Sequence, residues 1–124
     1  MIKTLTKFGT VGKRVLWFSR HDMTDEQFTA LGPVKEVLKI DGTINNAWEL
    51  QEDINDCDII AIVAPINIQA QFLKIAGDKP VITAISERVL TEDEEGGESK
   101  VTFVFRKWER IKKIEVVTED FIPE

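Results

Sequence analysis

The chain has 124 residues, 43% of them hydrophobic and 31% charged, with a formal net charge of −6. That length buries one core and no more, and the balance is that of a globular domain, not a disordered chain. The acidic total argues against general DNA or RNA binding, and one cysteine with one histidine leaves no internal disulfide and no zinc-ligand spacing. No apolar run approaches the roughly 18 residues of a membrane-spanning helix. The first residues, MIKTLTKFGTVGK, carry lysines but no apolar core and no small-residue cleavage site, so no signal peptide is read and a cytoplasmic, membrane-free, metal-free and cofactor-free protein is expected.

Charge is unevenly spread. No acid precedes Asp22, whereas Lys3, Lys7, Lys13, Arg14 and Arg20 all do, and bases return at Lys100, Arg106, Lys107, Arg110, Lys112 and Lys113. Whether these two basic segments converge on one region, or remain separate solvated faces, is left open by the sequence.

In chain order, residues 1–12 are an N-terminal extension or an extra strand, "IKTLTKF", turning at Gly9-Thr10-Val11-Gly12. Residues 14–19 read as a buried strand, being apolar and rich in β-formers. Thr24 with Gln27 forms a capping box, flanked by Met23 and Phe28 at hydrophobic-staple positions, and the helix so opened stops at Gly32-Pro33. Val34–Ile40 is a second strand, whose Lys35, Glu36 and Lys39 suggest an edge position, followed by an Asp41-Gly42 turn.

Asn46 and Glu49 cap a second helix carrying Ala47, Leu50 and Ile54 on one face. "DIIAIVAP", 58–65, is apolar throughout and reads as a strand buried on both faces. Ile68, Phe72, Ile75 and Ala76 mark a third helix ending at Gly77, and "KPVITAIS", 79–86, is a further strand. An acidic loop at 91–99 leads to a terminal pair of strands, Lys100–Trp108 and Ile111–Val117. Strands alternating with helices predict one α/β domain, 1–124, of Rossmann-like three-layer form, with a mainly parallel sheet and a C-terminal antiparallel pair.

Open parallel sheets bind ligands beyond the carboxyl ends of their strands, where strand order reverses. Here that point falls between strands 14–19 and 58–65, so the candidate loops are "SRHD" (19–22) and "APINIQ" (64–69), with "SERV" (86–89) nearby. Arg20 and Arg88 suit bidentate phosphate contacts, Asn67, Gln69 and Gln71 suit a base or ribose, and helix starts suit an anion. His21 is a general acid or base, or else a packing residue at a strand end; Asn67 is a ligand contact or else a helix cap. Trp17 and Trp108 stack on a base or belong to the core. Asp53, Asp56 and Asp58 fall at the opposite end of the sheet and read as a solvated helix end.

Several enzyme classes lose ground. Gly9-x-x-Gly12 precedes its strand, so it is no dinucleotide loop, and neither a P-loop nor G-x-S-x-G occurs.

The apolar strand running into a Ser/Arg/His loop and an "MTDEQ" helix opening, the "DIIAIVAP-INIQAQF" unit and the following "KPVI" resemble small stand-alone CARF-like proteins of type III CRISPR systems, over most of residues 13–118. The resemblance implies a homodimer that binds a cyclic oligoadenylate across its two-fold axis, and in the ring nucleases of that group a metal-independent opening of the ring. It carries His21 and Arg20 as catalytic or phosphate-contacting residues and Ser19 as a hydrogen-bond donor. Asn67, Gln69, Ser86 and Arg88 follow as ligand-binding residues. The alternatives are a non-catalytic cyclic-nucleotide sponge of a phage or mobile element, and a plain protein-interaction domain. Residues 1–12 and 91–99 have no counterpart in the resemblance.

Overall fold

A computed structural model describes residues 1–92 and 99–123. The elements are β1 (Ile2–Lys7), β2 (Lys13–Phe18), α1 (Asp25–Ala30), β3 (Val34–Asp41), α2 (Gln51–Asn55, entered through a 3₁₀ turn at Ala47–Leu50), β4 (Ile59–Ile62), α3 (Ile66–Ala76), β5 (Val81–Thr91) and β6 (Lys100–Arg110). The protein is α/β, with a six-stranded mixed sheet ordered β1-β3-β2-β4-β5-β6. The inner pairs β3–β2, β2–β4 and β4–β5 are parallel, and the outer pairs β1–β3 and β5–β6 are antiparallel.

Side-chain alternation along β2 divides the core. Leu16 and Phe18 point to one face, where Ile40, Ile60 and Ile62 meet Leu50, Ile54 and Phe72 from the 3₁₀ turn, α2 and α3. Val15 and Trp17 point to the other, joined by Val34, Val37, Ile59 and Ala61 and covered by Met23, Phe28 and Leu31 of α1 and its flanks. The six-residue α1 leaves much of its face to β6, whose Trp108 stands edge-on to Trp17 with ring centroids 5.8 Å apart. Both capping boxes form as their sequences predict, at Thr24/Gln27 and at Asn46/Glu49.

Three expectations are corrected. β3 is not an edge strand, because the extra strand β1 pairs along its whole length, from Ile2 opposite Asp41 to Lys7 opposite Glu36. Lys39 on β3 reaches Asp22 at 2.7 Å. Second, the terminal antiparallel pair is β5 with β6, and residues 111–117 form no strand. β4 is only four residues long and holds β5 through Val81 and Ile82 alone. The rest of β5 therefore finds its partner in β6, and the two continue past the sheet as a ribbon as far as Thr91 opposite Lys100. Third, Ser86–Val89 are ribbon strand, not a loop. The acidic loop falls mostly outside the described residues.

The two basic segments also receive an answer. Lys3, Lys7, Lys13 and Arg14 lie on β1 and the start of β2, and Lys100, Arg106, Lys107 and Arg110 lie on β6, the opposite edge of the sheet from β1; Arg20 lies in the loop after β2, and Lys112 and Lys113 lie beside α3.

Gly12 makes the turn into β2 possible. Its φ is +114°, and a Cβ there would lie 2.6 Å from the carbonyl carbon and oxygen of Pro33. Gly12→Ala is expected to cost at least about 2 kcal/mol in urea denaturation, since a strained backbone adds to a clash with main chain that cannot swing away. A midpoint equal to the parent's would show that the turn can rebuild itself.

Candidate functional site

The strand order places β2 between β3 and β4, so the chain's path reverses there, and the carboxyl ends of these strands open into a cleft of about 510 Å³. Its apolar walls include Phe18, Ile44, Val63 and Ile68, and its polar groups are Ser19, Arg20, His21, Thr43 and Asn67.

The loop after β2 is built by local bonds. Ser19 is buried, its N–H donates to the Ile40 carbonyl oxygen at 3.2 Å, and its Oγ accepts from the His21 N–H at 3.1 Å. Trp17 Nε1 donates to the His21 carbonyl oxygen at 2.8 Å. His21 is thus held through its own backbone from both sides, while its imidazole is exposed and makes no hydrogen bond among the described residues. Arg20 reaches only Thr43 Oγ1, at 3.4 Å, and has no ion-pair partner among the described residues. The neighbouring carboxylate does not quench it, because Lys39 engages Asp22 and draws its carboxyl below the usual range.

The opposite wall is the start of α3. Pro65 is its N-cap and supplies no side-chain cap; the Ile68 N–H turns back to the Pro65 carbonyl oxygen at 3.0 Å, and the Ile66 and Asn67 N–H groups of this eleven-residue helix stay open among the described residues. Asn67 lies inside the helix and is exposed, lining the cleft without capping anything. Gln69 Nε2 donates to the Ala64 carbonyl oxygen at 2.8 Å, and Gln71 Oε1 accepts from the Ala47 N–H at 2.8 Å. Both amides brace the loop and helix, and neither lines the cleft.

Of the residues singled out from the sequence, the structure brings Ser19, Arg20, His21 and Asn67 together. Ser86 and Arg88 lie on the β5–β6 ribbon opposite Phe105 and Phe103, outside the cleft lining. Neither Trp17 nor Trp108 lines the cleft; both pack on the α1 face, with Trp108 Nε1 bonded to the Gln27 carbonyl oxygen at 2.9 Å. Thr43 and Gly42 were missed, although the Asp41-Gly42 turn signal marked their loop. β3 neighbours β2 in parallel, so the loop after it must open on the same side.

At the opposite end of the sheet, Asp58 receives the Arg14 N–H at 2.8 Å and faces its guanidinium at 3.5 Å, while Lys3 meets Asp53 at 2.6 Å. These carboxylates are ion-paired supports, not merely a solvated helix end; the Arg14 N–H chiefly holds the Asp58 carboxyl below its ordinary range. Burial pushes the nearby Cys57 thiol up to about 11, which leaves it inert at neutral pH. No cluster of three metal-ligating side chains occurs among the described residues, and no helix is long and apolar enough to cross a membrane.

No family model, curated protein or solved structure matches this chain.

Proposed function

We propose that this is a Rossmann-like, CARF-like domain that takes a cyclic oligoadenylate at the switch-point cleft and opens the ring. The observation that supports it most is Arg20, a cation free of carboxylate partners among the described residues, set beside His21 and facing the open start of α3. That is the chemistry of a phosphate site. A cleft of about 510 Å³ holds a ligand of nucleotide size. A ring of several nucleotides therefore requires the clefts of two copies, and the reading includes a homodimer.

In the reaction, the ribose 2′-hydroxyl attacks the adjacent phosphorus as the bond to the next nucleotide's 5′-oxygen breaks, leaving a linear product with a 2′,3′-cyclic phosphate and a 5′-hydroxyl. His21 accepts the 2′-hydroxyl proton, and the departing oxygen takes one up from solvent. Arg20 and the α3 N–H groups stabilise charge on the non-bridging oxygens, while Ser19 and Trp17 hold the His21 backbone in place. One observation favours a second reading, capture without cleavage: neither ring nitrogen of His21 has an orienting partner among the described residues, unlike the bases of most nucleophile–base pairs.

Incubating excess protein with a panel of cyclic oligoadenylates, denaturing it and chromatographing the nucleotides tests both. Linear products bearing a 2′,3′-cyclic phosphate are expected. Rings bound but recovered intact would establish the sponge, and rings neither bound nor cut would end both readings.

A further inference from the structure

Beyond β6 the described residues form no further strand. The Ile111 N–H donates to the Val81 carbonyl oxygen at 2.8 Å, and Lys112, Lys113 and Ile114 run beside Leu73 and Lys74 of α3. From there residues 115–123 stand in solvent, with Val116, Val117, Phe121 and Ile122 between 80% and 89% exposed. Four large apolar side chains left bare on a segment outside helix and strand mark a surface awaiting a partner. The same segment carries Glu115, Glu119 and Asp120 and no base.

The outer edge of β1 is its counterpart. β1 is the terminal strand of the sheet, so one row of its main-chain N–H and C=O groups is unpaired. Its register with β3 sets Lys3, Leu5 and Lys7 on one face, the α2 face, where Lys3 meets Asp53. Leu5 is 51% exposed there, and Lys7 has no ion-pair partner among the described residues. In extended form the tail presents Glu115, Val117 and Glu119 on one face, with the same spacing. Laid along β1, the two series match residue for residue: acid on base, apolar on apolar, acid on base. The pattern is symmetric, so it matches in either strand direction.

The tail cannot reach the β1 of its own chain. Four strand spacings separate β5, where Ile111 is anchored, from β1, about 19 Å, whereas the four residue steps from Ile111 to Glu115 span at most about 14 Å. The only β1 within reach is that of another molecule.

We infer that the acidic segment Glu115–Phe121 of one copy adds as a strand to the free edge of β1 in a second copy. Main-chain bonds to the bare edge supply the attachment, and the charges select it. Lys3 keeps Asp53 and takes the tail carboxylate with its remaining donors. Glu115 exchanges an exposed contact with Lys113, 3.1 Å in the protomer, for Lys3 or Lys7. The edge of β6 repeats the alternation at Arg106, Trp108 and Arg110, but Arg106 already holds Glu87 at 2.6 Å and Trp108 lies against α1. Donor and acceptor occupy opposite sides of the sheet, so the contact is head-to-tail.

Sedimentation velocity of the full, ligand-free chain tests this, with two charge reversals, Lys3→Glu/Lys7→Glu and Glu115→Lys/Glu119→Lys. The parent is expected to associate as its concentration rises, and each reversal to weaken this by about tenfold or more, because like charges then face each other. Mixing the two variants should restore association, since each tail then meets an edge of opposite charge. A monomeric parent, a reversed variant that associates like the parent, or a mixture no tighter than its components would each overturn the inference. Circular dichroism checks the fold. Should loss of the Lys3–Asp53 pair unfold the acceptor, Lys7→Glu alone replaces it, because the Lys7 side chain has no ion-pair partner among the described residues.

Discussion

His21→Ala should lower ring opening by about 10²–10⁴-fold, the range a positioned acid or base contributes, while leaving the fold and most of the affinity intact. The separation follows from how His21 is held. Its N–H and carbonyl oxygen are bonded to Ser19 and Trp17, and alanine keeps both contacts. Only an exposed imidazole is lost, so thermal stability should stay within about 0.5 kcal/mol of the parent. Arg20→Ala should behave differently, reducing binding and turnover together, because the guanidinium holds the phosphate in the ground state and meets more charge on its non-bridging oxygens in the transition state. Single-turnover cleavage, with binding measured separately, distinguishes the two. Full cleavage by the His21 variant would remove the histidine from the chemistry and leave Arg20 and the α3 terminus to account for any rate.

Trp17→Ala carries the largest expected loss of stability, about 3–5 kcal/mol out of a total of about 5–15. The indole is 2% exposed and stands edge-on to Trp108, so truncation opens a cavity between the sheet and Trp108. Trp17→Phe is the informative companion. It keeps most of the packing but loses the 2.8 Å bond to the His21 carbonyl oxygen, a loss of about 1 kcal/mol. If that bond positions the loop, the phenylalanine variant should cleave more slowly while its urea midpoint falls far less than the alanine variant's. A parental rate would show that Ser19 alone holds the loop.

Much of the architecture was legible because local chemistry and tertiary context agree. The apolar runs at 15–18 and 59–62, both capping boxes and the glycine after α3 each specify their element unaided, and their alternation implies the reversal beside β2. That is why Ser19, Arg20, His21 and Asn67 could be brought to one place from sequence. The failures share a cause. Which strand occupies which edge depends on pairing at long range, and charged residues on β3 say nothing about β1 lying beyond them. Ser86 and Arg88 were expected at a loop, but a short β4 lets β5 run on as ribbon, and strand length reflects a neighbour's length as much as its own residues. Thr43 was missed because a turn signal names a bend without saying what the bend faces.

The order β1-β3-β2-β4 also divides the cleft between two stretches of the chain. Residues 1–41 carry β1-β3-β2 with α1 on one side, and Arg20 and His21 belong to that stretch. Pro65 and Asn67 belong to the stretch that follows β4. The line along which β4 zips onto β2 is thus the line on which the cleft lies. The site is complete only when β4 pairs with β2, so a change that loosens the β2–β4 seam is expected to alter the cleft.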